Sequence, residues 1–498
     1  MENKINRITD ILRRDDGISG AMHYTEQISW VLFLKFLNDL EESKADEAAL
    51  NGTTYQSVMS EAFEWNSWAV PKLGDDTSKR DIIGAKSGDD LLDFVNKELF
   101  PHLKSFKNIT ENPKSIKYKI GAIFEFLDNR IANGHTLREV LDIIDEMDFH
   151  NQSDLFQLSV VYEKLLKDMG NDGGNSGEYY TPRPLIKVIT KVVDPQIGGS
   201  VYDPAVGSCG FLIEAYNHIR YENEDTHKQK DLSTEQLRFL NEDTFFGNEK
   251  TPLSYVMGVM NMILHGIESP NISKTNTLTQ NIRGLEEKDR YNCILANPPF
   301  GGKEKEQIQQ NFPIQSNATE LLFLQYMMRS LKLGGKCGVV VPEGVLFQTG
   351  TAFAKVKQEL LERFNVHTIL SLPAGVFLPY SGVKTNVLFF DRAGSTAEIF
   401  YYEVNPLQKL TKNKPITHAH FDEFLQIYKE RKITENSWLV SAHDITDTDI
   451  SAKNPNKATA QIHKTPQEIT QSIKKNNDTI NTLIDEVEAL LADKNINE

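Results

Sequence analysis

Seven consecutive residues, Ile294-Leu295-Ala296-Asn297-Pro298-Pro299-Phe300, combine an apolar run, a carboxamide, two prolines and an aromatic ring. Ile294 to Ala296 read as the end of a buried strand, and a strand cannot continue through two residues that lack an N–H donor. The chain therefore breaks at Asn297. Pro298 and Pro299 fix their own φ angles and push the residue before each away from the helical region, which predicts a stiff turn with outward-pointing carbonyls. Phe300 leaves the sheet edge as a stacking surface.

A second constellation is Asp203-Pro204-Ala205-Val206-Gly207-Ser208-Cys209-Gly210, which follows a short apolar run at Ser200 to Tyr202 and precedes a helical stretch. The first strand-to-helix turn of a doubly wound sheet is where such folds hold ligands. Gly207 and Gly210, with the small Ser208 and Cys209 between them, let the backbone approach a ligand closely, and Asp203 offers a carboxylate to an amino or hydroxyl group. The spacing is not the G-x-G-x-x-G of dinucleotide sites, and taken alone a glycine turn after a strand is as consistent with a plain turn. Phe245-Phe246-Gly247-Asn248-Glu249 changes the balance, because it puts a carboxylate at the end of the next strand, where doubly wound folds bind ribose hydroxyls. An ordinary surface charge is the plainer alternative for Glu249. Together the two turns suggest an adenosine-containing cofactor with no pyrophosphate to cradle.

These turns need a scaffold. From Pro184 onward, short apolar runs alternate with amphipathic helices, which predicts a parallel sheet covered on both faces: an α/β, doubly wound, mostly parallel fold. Gly382 to Asn386 are expected to close a hairpin that adds an antiparallel edge strand. Thr181 before Pro182 reads as a cap for the helix that runs from about Pro184 to Val193. Residues 1 to about 165 show apolar residues at helical spacing throughout, with no cluster of reactive side chains, so packing or partner binding is their plain role. Gly170 to Gly177 have the composition of a linker and lack the Gly-Lys-Ser/Thr of a nucleoside-triphosphate loop. The expected domains are a helical region at 1–167, the α/β domain at 168–440, and a linker with a terminal helix at 441–498. That last helix carries Ile473, Asn476, Ile480, Leu483, Val487 and Leu490 at alternating three and four spacing, a heptad seam that needs a partner inside or outside the chain.

Composition narrows the class. The chain has 498 residues, 39% apolar and 25% charged, the profile of a globular protein with more than one core. No window approaches the roughly 20 apolar residues that span a bilayer, and Met1 to Arg14 lack the apolar core of a signal peptide, so no membrane contact and a cytoplasmic location are expected. The three cysteines, Cys209, Cys293 and Cys337, form no C-x-x-C pair, which argues against a disulfide framework and a metal site. A net charge of −16 makes independent binding to nucleic acid unexpected.

Tyr179-Tyr180-Thr181-Pro182-Arg183-Pro184, the Asp203 to Leu212 turn, Glu249, Asn297 to Phe300, and Lys336 through Phe347 occur in an order that resembles the modification subunits of type I restriction-modification systems, a branch of the N6-adenine DNA methyltransferases. The likeness covers roughly residues 1 to 440. It implies S-adenosylmethionine as cofactor, with Glu178, Tyr179, Tyr180, Thr181, Pro182, Arg183, Gly207, Ser208, Cys209 and Gly210 along its methionine part. Asp203 and Glu249 would complete the site at the strand ends, Glu249 on the ribose, and Asn276 near the adenine. Val206 and Cys209 stand where the family more often has other small residues.

The same resemblance makes Asn297, Pro298, Pro299 and Phe300 the catalytic turn. Adenine N6 is a poor nucleophile because its lone pair is delocalised, so the Asn297 side-chain oxygen and the Pro298 carbonyl would accept its two hydrogens. Phe300, with Tyr180, would stack on a base flipped out of the duplex. A cytosine-C5 enzyme would instead need a cysteine beside its proline, and Cys293 lies inside the strand. The family further implies double-stranded DNA delivered through a specificity subunit, a restriction subunit for cleavage, and two copies of this chain per complex. Two other readings share the fold: the same chemistry on RNA or on a protein glutamine, and a scaffold without turnover.

Overall fold

The chain is described from a computed structural model, for residues 1–73, 76–81, 84–110, 112–150, 162, 164–165, 181–223, 228–267, 270–378, 381–456 and 466–494. Glu178, Tyr179, Tyr180 and the glycine-rich stretch 170–177 lie outside those residues. Two units are distinguished, residues 1–454 and residues 455–498.

The first unit begins with helix α1 (Glu2–Leu12), whose inward face is Ile5, Ile8 and Leu12. Helix α2 (Ala21–Leu50) follows, and from Tyr24 to Leu37 it is buried all round. A lysine survives in that stretch because Lys35 donates to Asp39, one turn on, while the other Asp39 oxygen accepts the Phe149 N–H at 3.1 Å. Both charges are thus paired in the interior, the condition under which such groups persist there. Helix α3 (Ile116–Phe124) starts at Ser115, whose hydroxyl accepts the Tyr118 N–H. Among the described residues the expectation of helix throughout this region fails at loops and at one hairpin. Lys72–Leu73 pairs antiparallel with Asp76–Arg80, a polar stretch with no apolar helical period.

Beyond the N-terminal helices the chain alternates as its apolar runs predict: α4 (Arg183–Val193), β1 (Val201–Asp203), α5 (Gly210–Arg220), β2 (Phe245–Glu249), α6 (Pro252–Leu264), β3 (Asn271–Lys274) and β4 (Tyr291–Ala296). Then come α7 (Thr319–Ser330), β5 (Leu331–Pro342), α8 (Thr351–Arg363), β6 (Asn365–Ser371), β7 (Thr385–Asp391), β8 (Glu398–Glu403) and β9 (Ser437–Ser441). Nine strands form one sheet in the order β9-β8-β6-β7-β5-β4-β1-β2-β3. All are parallel except β7, which runs antiparallel between β5 and β6, and β9, which is antiparallel to β8. The antiparallel strand expected from the 382–386 turn is therefore present but central. The reason is legible in its side chains: Thr385 to Phe390 are buried without a break, which suits a strand covered on both faces.

Side chains alternate between two cores. Val340, Val387 and Phe389 join the apolar cluster that also contains α4, α5, α6 and the N-terminal helices. Val339, Val341, Leu388 and Phe390 join the cluster built by α7 and α8 on the opposite face. Helix α6 lies between the sheet and the N-terminal region. Its Met257 sulfur accepts the hydroxyls of Ser29 at 3.4 Å and Tyr162 at 3.2 Å, and its Tyr255 meets Phe126 edge to face at 6.1 Å.

The second unit consists of helix α9 (Pro466–Lys494). Ile473, Ile480, Leu483 and Ile484 stand 50–55% exposed along it, and Asn476 is exposed as well. The side chains of Val487 and Leu490, the rest of the heptad seam, lie outside the described part. Among the described residues no helix is long and apolar enough to cross a membrane.

Met257 is 1% exposed, so Met257→Ala leaves a cavity between α6 and the N-terminal helices. Unfolding in urea is expected to show a loss of about 3 kcal/mol.

Candidate active site

The sheet reverses its order of growth at β1. The chain builds outward to β2 and β3, then returns to place β4 on the other side of β1, so the crevice between β1 and β4 is the topological switch point. Val201 pairs with Cys293 and Tyr202 with Ile294. This register sets the Asp203 turn directly beside Asn297. A cleft at this end is lined by Thr181, Ile186, Asp203, Ala205, Val206, Gly207, Ser208, Gly210, Phe211 and Asn297. A larger cleft of about 510 Å³ lies near Ser200, Asn292 and Lys332, where β1, β4 and β5 begin. It holds none of those residues, and parallel sheets bind ligands at the carboxyl ends of their strands, so the narrower cleft is the candidate site.

The glycine turn is held by three neighbouring elements. Gly207 takes a positive φ of 50°, a conformation that glycine adopts at little cost, and its N–H donates to Glu249 Oε2 at 3.0 Å. The other Glu249 oxygen accepts the Thr251 N–H at 2.7 Å, so the carboxylate at the end of β2 braces the turn after β1. From α6, Asn261 donates to the Ser208 carbonyl at 2.9 Å. From α4, Arg183 Nη1 donates to the Gly210 carbonyl at 3.2 Å. A Cβ on Gly258 of α6 would come within 2.7 Å of the Gly207 oxygen and 2.8 Å of the Cys209 sulfur, so the helix and the turn touch backbone to backbone. Cys209 itself caps α5 in the left-handed conformation.

Burial sets the charge states. Asp203 is 1% exposed, and desolvation pushes its carboxyl up to about 8, against the Ala205 N–H, which donates to it at 2.9 Å. Desolvation also raises the Glu249 carboxyl. It pushes the Cys293 thiol up to about 11 and the Cys209 thiol well above its usual range, so neither cysteine supplies a thiolate near neutrality.

Asn297 follows β4 and faces α4. Its Nδ2 donates to the Thr181 hydroxyl oxygen at 3.0 Å, while its Oδ1 is buried with no partner among the described residues. Pro298 is buried and Pro299 half-buried. Phe300 is half-buried and meets Phe377 edge to face at 6.1 Å. Thr181 does not cap α4: the helix begins after Pro182, which serves as N-cap, and no side chain closes it. The hydroxyl lies one residue too early for that and turns to Asn297 instead. Asn276 caps the short turn Thr277–Thr279 by accepting the Leu278 N–H, and it does not line the cleft.

Three contributors escape a reading of the chain alone: Asn261, Gly258 and Phe377. Asn261 had a signal, a lone carboxamide in the apolar run Val259 to Ile263. Gly258 and Phe377 had none, since each acts by meeting a residue far away in sequence.

The sheet order, with the glycine turn and the Asn-Pro-Pro-Phe turn at one crevice, makes the chain a doubly wound α/β protein with its cleft at the topological switch point. A sequence profile described as N-6 DNA Methylase matches residues 151–467, and one described as HsdM N-terminal domain matches residues 1–153. The chain belongs to the N-6 DNA methylase family. It is 34% identical over 467 residues to the type I restriction enzyme EcoEI methylase subunit of Escherichia coli, covering 91% of this chain and 89% of that one. Against the EcoKI methylase subunit of E. coli strain K12 it is 28% identical, with 92% and 82% covered. In three dimensions it is similar to a modification subunit assigned to a type I restriction enzyme from Vibrio vulnificus YJ016, with TM-score 0.81, 36% identity, and 92% and 97% of the two chains covered. A chain from a structural study of assembly and conformational transition in the type I restriction-modification system aligns with TM-score 0.75 at 40% identity, covering 99% and 98%. The chain is accordingly a DNA adenine methyltransferase, and membership of this family implies use of S-adenosylmethionine.

Gly258→Ala and Asn261→Leu test the brace beneath the turn. The first forces a methyl group against the Gly207 carbonyl, and the second leaves the Ser208 carbonyl without its donor. Each is expected to weaken S-adenosylmethionine binding about tenfold in calorimetry, the scale of one buried hydrogen bond.

Proposed function

We propose that this chain is the modification subunit of a type I restriction-modification complex, and that Asn297, Pro298, Pro299 and Phe300 carry out methyl transfer to adenine N6 in a specific DNA sequence. What supports these roles most is the Asn297 Oδ1 atom, a buried acceptor without a donor at the edge of the cleft that Asp203 and Gly207 to Gly210 line. A buried unpaired acceptor costs about 1–3 kcal/mol, a cost that a substrate hydrogen would remove.

The residues fit the cofactor that the family implies. Asp203 is a buried carboxyl in the lining of the cleft, suited to an ammonium or hydroxyl group, and the turn offers backbone close to the cleft. In this proposal Thr181, Pro182, Arg183 and Gly207 to Gly210 lie along the methionine part, with Glu178 to Tyr180 continuing the same segment. Glu249, which accepts the Gly207 and Thr251 N–H groups, is assigned to the ribose hydroxyls, and Asn276, outside the cleft lining, to the adenine side. Bound S-adenosylmethionine supplies the electrophilic methyl group. The protein's part is to hold the amine: Asn297 Oδ1 and the Pro298 carbonyl take its two hydrogens, which draws the nitrogen lone pair out of the ring and aims it. Phe300 stacks on the flipped base. No covalent enzyme intermediate is needed.

A net charge of −16 favours delivery of DNA by another chain, which we assign to a specificity subunit, with a restriction subunit added for cleavage and two copies of this chain per complex. The exposed apolar face of α9 suits packing against helices of such a partner. A cytoplasmic location follows from the same assignment. Co-expression with candidate subunits, pull-down and sequencing of methylated adenines test the assembly. Site-specific methylation by the isolated chain, with no partner retained, would overturn it.

Asn297→Ala is expected to keep cofactor binding and lose transfer by at least about a hundredfold. Full activity in the assembled complex would exclude the assigned role. The Asp203 carboxyl gives a pH test. Its raised pKa leaves it largely protonated below about 8, so binding a cationic ammonium group must release that proton. Affinity for S-adenosylmethionine is therefore expected to rise as pH increases toward 8 and then level off. Asp203→Asn should bind weakly with a flat pH profile.

A further inference from the structure

A carboxamide has two ends of nearly equal size and opposite hydrogen-bonding sense. Only one orientation of Asn297 serves the transfer reaction, the one that turns its oxygen toward the amine. With the group turned over, an NH2 donor would face the hydrogens it is meant to accept. The side chain must therefore be held in place by what surrounds it, with its oxygen end free to meet the amine.

One contact holds it. Nδ2 of Asn297 lies 3.0 Å from the Thr181 hydroxyl oxygen, across a separation of 116 residues, and Oδ1 is the end left buried and unpaired. The Thr181 hydroxyl is not spent on capping α4, which has Pro182 as N-cap and no side-chain cap bond. Both residues line the same cleft. We infer that Thr181 is a positioning residue of the transfer reaction: its hydroxyl anchors the Asn297 carboxamide at the lip of the cleft, so that the side chain meets the substrate in one rotamer. The contact also ties the segment before α4 to the turn after β4, which form two sides of the cleft.

This inference rests on the catalytic role proposed for Asn297, and the experiment separates the two. Methyl transfer is measured in the assembled complex at saturating DNA for wild type, Thr181→Val, Thr181→Ser and Asn297→Ala, with S-adenosylmethionine affinity measured by calorimetry and folding by thermal melting. Valine has the shape of threonine without the acceptor. Thr181→Val is expected to lower kcat about tenfold at saturating S-adenosylmethionine, beyond any loss of affinity from its place beside the methionine part, and Thr181→Ser is expected to recover kcat to within about twofold. Thr181→Ala, read in the same way, replaces the valine variant if that one melts early. Wild-type kcat in the valine or alanine variant would overturn the inference. So would a loss confined to cofactor affinity, or a serine variant as poor as valine. Full transfer by Asn297→Ala would instead remove the role of Asn297 itself, an outcome independent of what the Thr181 variants do.

Discussion

The pairing of β1 with β4 is the constraint on which the rest of the site depends. Because Val201 and Tyr202 lie in register with Cys293 and Ile294, the two chain breaks after these strands emerge side by side. One break is a glycine turn with a buried carboxyl, and the other is a proline turn with a buried carboxamide. Neither makes a reaction centre alone. The sheet brings residues about 90 positions apart in sequence to opposite lips of one crevice, and it does so through backbone hydrogen bonds that no surface substitution readily disturbs.

Around that crevice the molecule gathers several of its buried polar groups. Asp203, Glu249 and Asn261 are all buried, and each is tied to backbone of the glycine turn or of the residues next to it. Such groups are costly to bury unless paired, so their clustering under one turn marks where geometry has been favoured over apolar packing. Two acceptors there keep no partner among the described residues, Asn261 Oδ1 beneath the turn and Asn297 Oδ1 at the edge of the cleft, and of the two only Asn297 lines the cleft, where an incoming hydrogen has a use.

Much of this was legible in the chain. The proline pair fixed the end of β4, the alternation of apolar runs gave the parallel sheet, and the types and order of residues at 203–212, 249 and 297–300 pointed to the family. What could not be read were long-range contacts. The Thr181 hydroxyl looks like a helix cap when only its neighbours are considered, and it becomes a partner for Asn297 only once α4 lies across β4. The central place of β7 was equally hidden, because antiparallel direction is set locally by a turn, whereas neighbours in a sheet are chosen by burial on both faces. Glu249 illustrates a third kind of gap. Its position at a strand end was evident, but its bracing of Gly207 depends on a turn 42 residues away.

Helix α6 has one further consequence. It is held on one side by Ser29, Tyr162 and Phe126 of the N-terminal region, and on the other it touches the glycine turn through Gly258 and Asn261. A rigid body shared by two sites couples them in free energy, and such coupling is reciprocal. A movement of the N-terminal helices that displaced α6 would displace with it the glycine turn that Gly258 and Asn261 touch. The helix thus gives the N-terminal region one packed route to the turn beside the cleft.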